Sequence, residues 1–167
     1  TLKPVTVLSV LSCGLALWLL ADEAAVTPMR RRCAQAAATV ACLLAGFTLV
    51  EYVFDINIGV DLWLMRDAGF DAAAHPGRMA PLTACVTLLL SLALLTLDWP
   101  VSNAQYPAQY AALAGMTMGG IALVGYLYGV RSLYQVGSSS TVSLYSATML
   151  FGIGLGILAA RPARGFM

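Results

Sequence analysis

Glu51 and Asp55 stand four residues apart, one turn of helix, and further along the chain come its only histidine, His75, and an arginine, Arg78. Two carboxylates on one helical face repel each other or gather a cation. An imidazole can change charge near neutral pH, and a guanidinium clamps anionic groups. Between residues 51 and 81 lie five of the eight acidic residues and two of the nine basic ones. Glu51, Asp61, His75, Arg78, Tyr126 and Arg131 form the candidate ligand-binding set. Within it, Glu51 is an acid inside an apolar run, a place where a charge needs a partner or water.

Other chemistries find little to work with. Glu51, Asp55 and His75 have the donor types for a hard or borderline divalent ion but no regular ligand spacing, so no metal site is assigned. A single histidine excludes bis-histidine haem ligation and leaves only histidine with methionine. The sole lysine, Lys3, lies at a helix end, a poor place for a retinal linkage. Cys13, Cys42 and Cys85 stand alone in apolar runs, Cys33 lies beside the arginines, and no CxxC pair exists. No GxSxG, GxxxxGK[ST] or HExxH pattern occurs, and the chain is not expected to be an enzyme by itself. A net charge of +1 argues against nucleic-acid binding. The sequence identifies no cofactor and no small-molecule ligand.

The elements that must position these residues are apolar. Hydrophobic residues make up 60% of the 167 residues and charged residues 10%, a balance foreign to soluble domains. The expected fold is all-α: a single integral membrane domain, 1–167, with helices at about 4–21, 33–54, 81–97, 106–130 and 142–160. The first run lacks the cleavage signal of a secretory leader. Residues 55–80 form the loop between the second and third helices. Within it Leu62, Trp63 and Met65 suit an interfacial amphipathic segment, broken by Pro76 and Gly77.

Arg30, Arg31 and Arg32, with Arg161 and Arg164 after the last helix, set the orientation by the positive-inside rule. The N-terminus is expected outside, the C-terminus inside, and the 55–80 loop on the outer face.

The chain also repeats itself. Pro4 with "LALWLL" matches Pro81 with "LALLTL" at an offset of 77, and "AGFTLVEYVFDI" from Ala45 matches "GGIALVGYLYGV" from Gly119 at an offset of 74. A weaker copy from Ser146 resembles the segment from Thr83. The unit is a helix pair, repeated twice, with half of a third. Tyr52 and Tyr126 are equivalent, whereas Glu51 corresponds to Gly125 and Asp55 to Gly129, so the acids belong to the first copy alone. Gly115, Gly119, Gly152 and Gly156 are expected to let helix backbones approach.

"LVEYVFDINIGVDLWLMRD", then "HPGRMAPLTACVTLLLSLALLTLD", then the segment from "GYLYGVRSLYQ" to the end resemble the multi-pass N-terminal membrane sensory region of bacterial sensor histidine kinases and of related PAS and diguanylate-cyclase proteins. Glu51, Tyr52, Phe54, Gly59, Asp61, His75, Pro76, Gly77, Arg78, Met79 and Pro81 match its pattern. Asp55, where glycine is common, and Leu82, where asparagine is common, depart from it, so the resemblance does not support a role for Asp55. The resemblance implies a sensory input domain in the bacterial inner membrane. A signal at the membrane or its outer face would shift helix packing and pass to a cytoplasmic effector, a kinase or cyclase carried by a longer chain after Met167. The alternative is an accessory or structural subunit of a larger membrane complex. The partners expected are the lipid bilayer, with a homodimer or other membrane subunits. A small transporter is disfavoured, because repeats of two helices run parallel and no broken helix is evident.

Overall fold

The computed structural model describes residues 3–23, 26–54, 79–98, 107–133 and 142–160. Among them every regular element is helical: α1 Pro4–Leu20, α2 Pro28–Phe54, α3 Pro81–Thr96, α4 Pro107–Tyr128, a short 3-10 turn Arg131–Leu133, and α5 Leu144–Ala160. Four of the five α-helices begin with proline, whose fixed φ suits the first helical position and whose missing N–H would have had no partner there. α5 begins instead behind Ser143, whose Oγ accepts from the Ser146 N–H at 3.1 Å.

α2 starts five residues before the expected boundary of 33. Thr27 caps it by accepting from the Arg30 N–H at 3.3 Å, and Pro28 opens its first turn. Arg30 to Arg32 are therefore helical rather than part of a loop. Three cations in a first turn oppose the helix dipole. Part of that cost is offset by the end of α3, where Arg31 donates to the Asp98 carbonyl at 3.2 Å and its Nε lies 3.9 Å from the Asp98 carboxylate.

Successive helices pack on each other and run in alternating directions, α1 and α5 also pack together, and α3 touches all four of the others. The repeat explains this hub. α1 buries Thr6, Ser9, Val10, Cys13, Ala16 and Leu20, and α5 buries Ser146, Ala147, Leu150, Ile153, Gly154 and Ile157. α3 buries the positions equivalent to both sets.

α2 and α4 turn mainly small side chains inward and large apolar ones outward, whereas α3 and α5 also bury Leu90, Leu94, Leu150 and Ile157. α2 turns Ala34, Ala38, Ala41 and Ala45 inward while Val40, Leu43, Phe47 and Phe54 are exposed. Gly119 lies against the backbone of α5 at Phe151. A Cβ at Gly154 would come within 2.9 Å of the Met116 Cβ on α4. Gly115 and Gly156 are likewise packed, against Leu90 and Leu17. Gly152, expected to do the same, has no atom within 4 Å of the place its Cβ would take. It faces outward from α5, and Gly154 makes the close approach instead. α2 and α4 are long and apolar enough to cross a membrane, and α1, α3 and α5 are shorter apolar helices.

Candidate functional site

Two hydrogen bonds define one end of the bundle. The Tyr52 hydroxyl, in the last turn of α2, donates to the Met79 carbonyl at 3.0 Å. The Tyr126 hydroxyl, in the last turn of α4, donates to the Val142 carbonyl. Each acceptor lies two residues before the first residue of the next helix. The two tyrosines, equivalent in sequence, are thus equivalent in role, each tying the end of its helix to the start of the following one.

Burial follows the same register. α2 buries Ala34, Ala38, Ala41, Ala45, Thr48 and Glu51. α4 buries Ala108, Ala112, Gly115, Gly119, Ala122 and Gly125, each 74 positions later. The spacing of three and four makes a narrow helical stripe in both. Both stripes carry only alanine or glycine until the last two places, where Ala122 and Gly125 of the second stand against Thr48 and Glu51 of the first. The carboxylate is therefore held where the repeat requires an inward position, and Glu51 is only 2% exposed.

Glu51 has polar company at this end. Thr6, Thr83 and Ser146 are each the third residue of α1, α3 and α5, and all three are buried. Their helices bring N-termini to the end where α2 brings its C-terminus, and a helix N-terminus favours negative charge. Deeper in α3, Thr87 is fully buried. Among the described residues its Oγ1 is the one buried side-chain oxygen without a hydrogen-bond partner. The equivalent positions in α1 and α5 are Val10 and Leu150, so this hydroxyl, like Glu51, is a polar departure from the repeated pattern.

Of the residues named from sequence, Glu51 lies inside the bundle, Tyr126 is engaged with Val142, and Arg131 is exposed in the 3-10 turn beyond α4. α3 stands between α2 and α4, which separates Glu51 from Tyr126. Asp55, Asp61, His75 and Arg78 lie outside the described residues. Thr48, Thr83 and Thr87 were not singled out from sequence. The signal that could have found them was the same comparison of copies that isolated Glu51, carried into the helices position by position.

At the opposite end, Arg31, Arg32, Gln35, Glu23 and Asp98 border a polar cleft of about 500 Å³ where α1, α2 and α3 meet. Among the described residues no group of three or more His, Cys, Asp or Glu side chains is placed to hold a metal ion. No protein-family model, curated protein or solved structure matches the chain.

Proposed function

We propose that the chain is a membrane-embedded sensory input domain, five helices crossing a bacterial inner membrane with the Glu51 end outward and the arginine end in the cytoplasm. The small-residue inward stripes of α2 and α4 and the large apolar side chains exposed on every helix support the membrane reading. In lipid, association comes from close packing of small faces, while bulky side chains turn to the acyl chains. The positions of Arg30 to Arg32 support the orientation. The resemblance of "LVEYVFDINIGVD" and "HPGRMAP" to sensory membrane regions supports the role.

The observation that carries the proposal is the buried Glu51 carboxylate beside the Tyr52 tie to Met79. A change in ligation at Glu51 alters the end of α2. Tyr52 then passes that change to the start of α3, whose 16 residues span about 24 Å. The far end of α3 is held by Arg31 through Asp98, beside the cytoplasm. The orphan hydroxyl of Thr87 gives the device an energetic bias. A buried unsatisfied hydroxyl costs about 1–3 kcal/mol, which a second packing state recovers if it supplies a partner.

The test uses the intact gene product in cells, with the output of its attached effector as readout. Glu51→Gln and Arg78→Ala are expected to change that output while membrane insertion stays normal. Insertion is scored by labelling Cys33, exposed near the arginines, with a thiol reagent that cannot cross membranes. The cysteine should react in inverted vesicles only. Wild-type output from both variants would sink the proposed site, and labelling from outside would reverse the orientation.

A further inference from the structure

α1 and α5 meet closely where Leu17 packs on Gly156. Beside that contact they leave an apolar groove of about 570 Å³, lined by Leu11, Gly14, Leu15, Trp18, Met149 and Gly152 among others. Gly14 and Gly152 deepen it, since neither has an atom within 4 Å of the place a Cβ would take. Trp18 lies in the last turn of α1, towards the arginine end, and the Arg30 guanidinium carbon sits 5.8 Å from the centre of its ring. An apolar channel that ends on an aromatic ring carrying a cation fits a molecule with a hydrocarbon chain and an anionic head. Basic pockets between helices on the cytoplasmic side recognise such lipids.

We propose that this groove binds one anionic phospholipid, with an acyl chain along Gly14 and Gly152 and the phosphate at Arg30. The proposal rests on the membrane reading above and is independent of what the Glu51 end detects. A second copy of the chain suits the groove less well. A twofold pair joined through α1 and α5 would bury Trp18 and leave the Arg30 guanidinium over its ring facing another apolar surface rather than an anion. Arg31 and Arg32 border the polar cleft instead, so Arg30 is the cation assigned to the groove.

The experiment incubates the detergent-purified intact protein with vesicles of equal parts phosphatidylglycerol and phosphatidylcholine and identifies retained lipid by native mass spectrometry. The wild type is expected to retain phosphatidylglycerol preferentially. Arg30→Gln should lower that preference about fivefold, as one arginine at a headgroup predicts, whereas Arg32→Gln should leave it unchanged. Gly152→Leu, whose Cβ has open space, places its side chain in the groove and should reduce retention of either lipid. Gly46→Leu, on α2 and equally unobstructed, should not. Equal retention of both lipids, equal loss with Arg30→Gln and Arg32→Gln, or full retention by Gly152→Leu would each overturn the proposal. So would a dimer that Gly152→Leu converts to monomer while bound lipid is unchanged. Recovery of the protein in an aqueous fraction without detergent would remove the membrane reading itself, and this proposal with it.

Discussion

Tyr52 and Tyr126, 74 positions apart, each donate a hydrogen bond to a carbonyl two residues ahead of the next helix, at Met79 and Val142. The bond fixes the start of α3 or α5 against the end of the preceding helix, which holds each antiparallel pair in register. A typical intramolecular hydrogen bond contributes about 1 kcal/mol net. Tyr52→Phe and Tyr126→Phe are therefore each expected to cost about that much in reversible unfolding in detergent. The two acceptors are different residues on different helix starts, so the double variant should show the sum to within about 0.5 kcal/mol. A much larger combined loss would mean that the two ends are coupled.

The α4–α5 interface is set by glycines whose backbones approach the opposite helix. A Cβ at Gly154 would meet Met116 at 2.9 Å, and that contact includes the Met116 Cα at 3.3 Å, which cannot swing away. Gly154→Ala is expected to lower stability by about 1–3 kcal/mol through overpacking. Gly152→Ala, two residues away on the open side of α5, should raise it by about 0.5–1 kcal/mol through helix propensity alone. Thermal unfolding of the two variants in one detergent compares them directly. Equal effects would contradict the assigned helix faces.

The helices, their number and the pairing of copies were legible in the sequence because apolar length, proline and offset matches are local signals. The inward face was harder to read. In α2 four of the six buried residues are alanines, while Val40, Leu43 and Phe47 are exposed, so hydrophobicity points away from the interior. The start of α2 differs from its expected place for a related reason. Arg30 to Arg32 look like loop residues by charge, yet the Thr27 cap and Pro28 carry the helix past them. Within the candidate site, Glu51 stood out as an acid in an apolar run. Thr48, Thr83 and Thr87 did not, since a threonine inside a helix normally satisfies itself on the preceding turn and carries no signal of its own.

Thr87 departs from that habit. Thr48 donates to the Leu44 carbonyl at 2.9 Å, one turn back, whereas Thr87 Oγ1 is buried without a partner. Thr87→Val keeps the shape and removes the orphaned group. It is expected to stabilise the protein by about 1–3 kcal/mol. Thr48→Val, which deletes a made bond, should be neutral or mildly destabilising. If the bias proposed for signalling is real, Thr87→Val also narrows the range of effector output in the intact protein. A loss of stability in Thr87→Val would show that the hydroxyl is satisfied.

The strongest test of whether the α2–α3 end is built for a carboxylate is to exchange the copies. Glu51 and Gly125 occupy one register position and both are buried. Around the first stand Thr48 on its own helix and the N-termini of α1 and α3. The second has Ala122 in place of that threonine, with the N-termini of α3 and α5 and the buried Ser146 at the same end. Glu51→Gly removes a charge from a place that tolerates a small residue in the other copy. Its cost should be the roughly 1 kcal/mol of a helix glycine plus the loss of the contacts the buried side chain makes. Gly125→Glu forces a large charged side chain into a glycine position where α4 supplies Ala122 instead of a hydroxyl, and an incompletely paired buried ion costs several kcal/mol. Folding yield and thermal unfolding in detergent should therefore fall further for Gly125→Glu than for Glu51→Gly. Similar tolerance of both would mean that either copy accepts the acid, and Glu51 would then lose its claim to a purpose-built environment.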